Sequence, residues 1–143
     1  AVRVFSAAEL ELVLCGVGSV DPADWRAHAT YAGATAAGPL GPDTPLAQWF
    51  WQYVTSRSDA ERALLLKFCS GSGRVPCGGF GELLGLHGKC PFSLVCVGGP
   101  DERLPMASTC FNMLKVPDYS SYEVLEERLR VAVLYGSQGF TFA

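Results

Sequence analysis

Three serine-based helix starts divide this chain and limit what it can fold into. At Ser6, Ser58 and Ser120 a serine is followed three residues later by a glutamate. This is the capping box, in which each side chain bonds the backbone amide of the other residue. The boxes predict helices over 6–15, from 58 to about 70, and from 120 to about 136, the last with Leu125, Leu129 and Val133 on one face.

Two further helices and two strands complete the predicted elements. Asp21 before Pro22 is typical of a helix start, because proline suits the first helical position. Apolar residues then recur at helical spacing after residue 45, whereas residues 32–45, rich in Ala, Gly and Pro, predict a loop. The short apolar runs 92–97 and 110–116 predict central strands. The fold class is therefore α/β (α+β), with several helices packed on a small central sheet. The helical positions after residue 45 are Leu46, Trp49, Phe50 and Tyr53, which we expect in the core with Trp25.

Composition limits the partners. With 143 residues and 49% hydrophobic content, the chain suits one globular domain. The net charge is -3 and basic residues are scattered, so we expect no nucleic-acid partner. No apolar run approaches the roughly 18 residues of a membrane-spanning helix. We expect no membrane partner and a soluble protein of the cytoplasm, with the nucleus as a second location.

Six cysteines and two histidines are the reactive candidates. The cysteines stand at least six residues apart, unlike the paired ligands of zinc sites, so we expect free thiols and no metal. A free cysteine is only a few per cent ionised near pH 7, so position decides its reactivity. Cys110 follows the turn-like segment 104–109, which would hold a thiol at the mouth of a strand. From the residues alone, Cys110 is either such a nucleophile or another core cysteine.

Two glycine-rich segments have different interpretations. Gly16 and Gly18 lie within three residues between the first two predicted helices. Glycine removes the steric limits on backbone angles, so this segment predicts a hinge. The run 78–81 lacks the lysine and the preceding strand of a phosphate-binding loop, so we predict a turn and no nucleotide.

The residues around Cys110 also carry a specific resemblance. Leu104-Pro105, the run Ser108-Thr109-Cys110-Phe111-Asn112, and Tyr119-Ser120-Ser121 resemble the signature of the HECT-type ubiquitin ligases, as does the final Gly139-Phe140. The similarity covers essentially the whole chain. Its upstream part rests on Glu9-Leu10-Glu11-Leu12, Cys15-Gly16, Trp25, Tyr31, Trp49-Phe50-Trp51, Leu66-Lys67-Phe68, Arg74-Val75-Pro76 and Gly79-Phe80.

The resemblance implies an organisation and an activity. Residues 1–15 would be the last helix of an N-lobe that is otherwise absent, 16–19 the inter-lobe hinge, and 20–143 the C-lobe. Cys110 would accept ubiquitin from a conjugating enzyme as a thioester and pass it to a lysine of a protein substrate. No cofactor is implied. The conjugating enzyme would dock on the absent N-lobe, so we expect these 143 residues alone to be inert as a ligase.

The resemblance also suggests roles for other residues. Thr109 and Asn112 would donate to the thioester oxygen or the ubiquitin tail, or else serve as ordinary strand polar groups. Phe140 would position the reacting groups for the lysine-transfer step, or else serve as a hydrophobic plug that packs on the lobe surface. The acid that helps deprotonate the lysine would be Asp118, the terminal carboxylate of Ala143, or a residue of the N-lobe. The family often has histidine where this chain has Ser108, so this chain has no imidazole at that position.

Two alternatives remain open. One is a cysteine hydrolase that pairs Cys110 with His87, although the sequence offers no third residue to orient that histidine. The other is a non-catalytic module that binds ubiquitin or acts as a scaffold. A hydrolase would cleave a ubiquitin thioester without an acceptor, and a scaffold would bind ubiquitin equally well after Cys110 is changed.

Overall fold

The computed structural model describes residues 20–72 and 75–137. The predicted helix over 6–15, the hinge at Gly16 and Gly18, and the tail residue Phe140 lie outside these ranges. Across the described part, helices pack on a mixed five-stranded sheet in one α+β arrangement. This confirms the predicted fold class. Within the same residues, no helix has the length and apolar character needed to cross a bilayer.

The sheet is parallel at its centre and antiparallel at its edges. The strands are β1 (Thr30–Thr35), β2 (Gly38–Pro39), β3 (Leu84–Gly85), β4 (Gly88–Lys89), β5 (Ser93–Cys96), β6 (Met106–Ser108) and β7 (Met113–Val116). The five-stranded sheet has the order β2–β1–β5–β7–β6, and β3 and β4 form a separate hairpin. β1, β5 and β7 run parallel, while β2 and β6 close the two edges as antiparallel neighbours.

The helices begin largely where the sequence predicts. They are α1 (Pro22–Ala27), α2 (Pro45–Ser56), α3 (Asp59–Ser70) and α4 (Tyr122–Ser137). Asp21 caps α1 by accepting from the Ala23 amide at 2.9 Å. The capping box of Ser58 and Glu61 is complete, and α3 ends at Gly71, whose φ of 80° is the left-handed conformation that favours glycine.

The prediction of a loop over 32–45 is wrong in its first part. β1 continues to Thr35, and Gly38–Pro39 pairs back on it. The sequence did not predict this part of the strand because residues 32–34 are Ala, Gly and Ala, which lack the β-branched or aromatic side chains typical of strands. One of these small residues is required by the fold: Gly33 has a φ of +82°, and a Cβ there would clash with the Cys96 carbonyl oxygen of the neighbouring strand.

The capping box predicted at Ser120 is also wrong. The Ser120 amide and hydroxyl both donate to the Asp101 carboxylate, at 3.0 and 2.6 Å. Ser121 lies at the start of α4 instead, where its hydroxyl accepts from the Val124 amide at 3.4 Å. A carboxylate distant in sequence therefore binds the serine that the local pattern assigned to the cap. The predicted apolar face of α4 is confirmed, because Leu125, Leu129 and Val133 are all buried.

The core is centred on a cluster of aromatic rings. Trp25 stacks on Phe80 with ring centroids 5.0 Å apart, and Phe50 stacks on Phe92 at 5.7 Å. Trp51 packs edge-on against Trp25 at 6.0 Å. All five side chains are buried, which confirms the core role predicted for Trp25 and Phe50. The cluster joins α1 and α2 to the sheet and to the segment that leads into β3.

Candidate active site

Cys110 lies near the tip of a short loop between two paired strands. β6 and β7 are antiparallel with Ser108 opposite Met113, so Thr109 to Asn112 form the connection. A 3₁₀ turn covers Thr109–Phe111, and the Cys110 side chain is free and exposed. The strand predicted over 110–116 is therefore wrong in its first part, because β7 begins only at Met113. The turn, and not the strand, presents the thiol.

Asn112 is the last residue of this loop and holds it on its buried side. It has a φ of 50°, the left-handed conformation that asparagine tolerates better than most residues, and its side chain is fully buried. Its amide nitrogen donates to the carbonyl oxygens of Leu84 and Cys90, at 3.0 and 2.8 Å. Both donor hydrogens of the side chain are therefore engaged by the chain segment that contains the β3–β4 hairpin.

The β3–β4 hairpin packs directly on the loop. The Leu86 amide donates to the Cys110 carbonyl oxygen at 2.8 Å. The Cys90 thiol, just after β4, donates to the Phe111 carbonyl oxygen at 3.2 Å. Sequence reasoning missed this hairpin. Its only signal was the pair of glycines, Gly85 and Gly88, on either side of a two-residue turn.

The structure places the predicted site residues in two groups. Thr109 is exposed on the turn of Cys110, and Asn112 follows it, so those two are brought together with the thiol. Their roles toward a thioester stay predictions, and the Asn112 nitrogen would have to leave its present acceptors to act directly. Asp118 lies beyond the opposite end of β7, where its carboxylate accepts from the Ala36 amide at 2.8 Å. The geometry therefore gives no support to Asp118 as an acid beside Cys110.

His87, the partner of Cys110 in the hydrolase alternative, lies in the two-residue turn of the hairpin and is exposed. No hydrogen bond joins its ring to Cys110. Within the described residues, no cluster of His, Cys, Asp or Glu has the arrangement of a metal site. The chemistry available at this position is that of an exposed thiol on a loop that hydrogen bonds hold in place.

The other described cysteines differ from Cys110 in their surroundings. Cys69 in α3 is fully buried, and burial raises the pKa of its thiol well above the ordinary value. Burial also raises the pKa of Cys96 in β5. Cys77 is exposed in a turn. Because the thiolate is the nucleophile, we expect Cys69 and Cys96 to be less reactive than an exposed thiol at neutral pH.

We expect this difference to appear in native labelling. With iodoacetamide at pH 8, Cys110 and Cys77 should be modified while Cys69 and Cys96 react more slowly by about ten-fold or more, since a raised pKa leaves less thiolate and burial blocks access. Mass spectrometry of tryptic peptides, sampled over time, measures each rate. Equal labelling of Cys69 and Cys110 under native conditions would contradict the burial described here.

An exposed cysteine on a turn between two strands, at the edge of a small mixed sheet covered by helices, agrees with the resemblance drawn from the sequence. A family model described as HECT-domain (ubiquitin-transferase) matches residues 1–143. The chain therefore belongs to the HECT-domain family.

Individual relatives agree with this assignment. The chain is 41% identical over 142 residues to the E3 ubiquitin-protein ligase HACE1 of Homo sapiens and 43% identical over the same length to that of Danio rerio. It is 39% identical to the E3 ubiquitin-protein ligase ptr1 of Schizosaccharomyces pombe. Each match covers 99% of this chain, but only 15%, 15% and 4% of the respective relative. The chain thus spans a small part of the length of the relatives it matches.

Proposed function

We propose that this chain is the part of a HECT-type ubiquitin ligase that carries ubiquitin as a thioester on Cys110 and passes it to a substrate lysine. The observation that carries the proposal is the exposed Cys110 thiol on a loop braced from below by Asn112 and the β3–β4 hairpin. The names of the relatives, all ubiquitin-protein ligases, favour the same reaction.

The chemistry requires little beyond presentation of the thiol. The Cys110 thiolate attacks the carbonyl carbon of the ubiquitin thioester on a conjugating enzyme, and the cysteine of that enzyme leaves as a thiolate. One thioester replaces another, so the step is nearly isoenergetic and needs no cofactor. The lysine amine then attacks the Cys110 thioester, loses a proton, and releases the Cys110 thiolate. Both steps gain their rate mainly from positioning.

The surface around Cys110 suits a protein partner. Leu84 and Leu86 on the hairpin are 66% and 63% exposed, and Phe111 beside the thiol is 47% exposed. Large apolar side chains grouped on a surface mark interaction sites more often than isolated ones do. This favours a macromolecule, such as ubiquitin or its conjugating enzyme, over a small molecule as the group brought to Cys110.

The proposal includes the two-lobe organisation expected from the resemblance. Residues 1–15 would end an N-lobe that binds the conjugating enzyme, residues 16–19 would be the hinge, and residues 20–143 the C-lobe. Gly16 and Gly18 would let Cys110 visit first the conjugating enzyme and then the acceptor lysine. The 143 residues alone would then be inert as a ligase.

The test is direct detection of the thioester. Full-length protein is incubated with a conjugating enzyme charged with ubiquitin and analysed on a non-reducing gel. We expect an adduct that disappears on treatment with thiol reductant and that maps to the peptide containing Cys110. Ubiquitin release without any adduct or acceptor would instead favour the hydrolase alternative, and absence of any adduct would overturn the proposal.

A separate prediction concerns Phe140, which would order the Cys110 thioester for attack by lysine. Loading does not need that order, so Phe140→Ala should leave the reducible adduct intact. Isopeptide products should fall by about ten-fold, on the order of 1.4 kcal/mol in barrier. Single-turnover loading and transfer assays on the full-length protein measure the two steps. If both steps decline together, Phe140 is a packing residue of the lobe and not a residue of the transfer step.

A further inference from the structure

We propose that the hairpin segment Leu84–Lys89 is a positioning element for Cys110 and that Asn112 fastens it to the loop. This inference rests on the proposed function, because it concerns how the thiol is held for thioester exchange. It assigns Asn112 a role through the hairpin, in place of direct donation to the thioester. The residues that contact the loop from outside it, Leu84, Leu86 and Cys90, come from a part of the chain that carries none of the signature around Cys110.

Three successive loop residues, Cys110, Phe111 and Asn112, each form a hydrogen bond with the hairpin or with Cys90 just after it. The Leu86 amide donates to the carbonyl of Cys110 at 2.8 Å, and the Cys90 thiol donates to that of Phe111 at 3.2 Å. The Asn112 side chain then donates in the opposite direction, to the carbonyls of Leu84 and Cys90. A short exposed loop would otherwise be free to move. These bonds fix the backbone of the reacting residue itself.

The orientation of the Asn112 amide is determined by its partners. The side-chain nitrogen faces two carbonyl oxygens, and the flipped orientation would place the side-chain oxygen against them instead. The residue is fully buried, so water cannot reach these groups, and breaking the bonds would cost free energy. The left-handed backbone of Asn112 ends the turn, and its side chain fastens the hairpin, so one residue performs two separate tasks.

Gly85 shows how closely the hairpin approaches. A Cβ at this position would lie 2.8 Å from the Cys110 carbonyl oxygen and 2.7 Å from the Cys90 Cβ. The first of these atoms belongs to the backbone and cannot move aside without shifting the loop. A methyl group at Gly85 would therefore press on the Cys110 carbonyl and on the Cys90 side chain, whose sulfur would lie at 3.3 Å, and would displace the hairpin from the loop.

Gly85→Ala tests the proposal from the hairpin side. In the full-length protein at saturating charged conjugating enzyme, we expect the single-turnover rate of loading Cys110 to fall by about ten-fold, while the enzyme concentration for half-maximal loading changes less than about two-fold. Gly41→Ala is the matched control, since a Cβ there meets only the Thr44 hydroxyl at 4.0 Å. It should load like the unchanged protein.

Asn112→Gly tests the same contact from the loop side. Glycine keeps the left-handed turn but removes the amide, so a role in the turn alone would leave loading unchanged. We expect slower loading, faster hydrogen exchange at the Leu86 amide, and alkylation of Cys110 by iodoacetamide within about two-fold of normal, since the thiol stays exposed. Exchange in the β5 peptide should not change, which separates local loosening from unfolding.

The outcomes distinguish this inference from the function on which it rests. If the unchanged protein forms no adduct, the proposed function fails. If it does, and Asn112→Gly frees the Leu86 amide yet loads at the normal rate, the positioning role is overturned. Should Gly85→Ala prevent folding, Asn112→Gly decides the question alone. Slower loading together with faster exchange in β5 would also count against the inference, because the effect would then be global.

Discussion

Full-length protein carrying Cys110→Ala should form no reducible ubiquitin adduct, a loss of more than about a hundred-fold at the detection limit of a gel. The reason is chemical, since alanine has no nucleophile to form the thioester. The fold should survive, because the side chain is exposed and surface changes usually cost under about 0.5 kcal/mol. Cys110→Ser should give an adduct that resists thiol treatment, or none. Non-reducing gels with and without reductant measure all three proteins.

Cys77→Ala is the matched control for this prediction. Cys77 is also a free, exposed cysteine, but it lies in a turn outside the braced loop. Its replacement should leave the adduct unchanged. If Cys110→Ala still formed the reducible adduct while Cys77→Ala lost it, the nucleophile would be Cys77, and the loop around Cys110 would have a purely structural role.

The helices were predictable because their signals are local. The capping box of Ser58 and Glu61 forms as its spacing predicts, and Asp21 before Pro22 caps α1. The same kind of pattern failed at Ser120, where Asp101 from a separate loop accepts both hydrogen bonds of the serine. A capping-box pattern indicates only which hydrogen bonds are possible between residues close in sequence. It carries no information about another acceptor that the fold brings in from elsewhere.

The strands were less predictable for a related reason. β5 and β7 lie within the two apolar runs from which strands were predicted, but β1 contains Gly33, a residue that weakens an isolated strand. Gly33 is favoured there by the close approach of the Cys96 carbonyl on the next strand. The requirement exists only once β1 and β5 are paired, so no window of the sequence around Gly33 could reveal it.

The sequence predicted Cys110 as the candidate nucleophile, which stays a prediction, but it did not predict the contacts that hold the loop around it. Cys110 was selected by resemblance, since composition and spacing alone left it among the other cysteines. The role of Asn112 was open between a donor to the thioester and a structural polar group. Its amide reaches the Leu84 carbonyl, 28 residues away in the chain. Contacts of side chains with distant backbone carbonyls follow from the fold and cannot be read from residue types.

We expect Trp25→Ala to be the most damaging change in the core. The indole is fully buried and contacts four aromatic rings, so its removal should lower the free energy of unfolding by about 4 kcal/mol, through lost contacts and the cavity left behind. A loss of this size is a large fraction of the 5–15 kcal/mol typical of domains. Denaturant unfolding of the 143-residue chain measures it. The four rings are those of Phe50, Trp51, Phe80 and Phe92.

Trp25→Phe separates the ring contacts from the rest of the side chain. It keeps a ring to stack on Phe80, and the buried indole nitrogen has no hydrogen-bond partner among the described residues, so its loss should cost only about 1–2 kcal/mol. Phe80 is also held by its amide, which donates to Asp24 at 2.9 Å, and it lies just before the hairpin that braces Cys110. Trp25→Ala should therefore also slow loading in the full-length protein. Equal stability losses for the alanine and phenylalanine variants would show that the stacked ring contributes nothing, contrary to the packing described here.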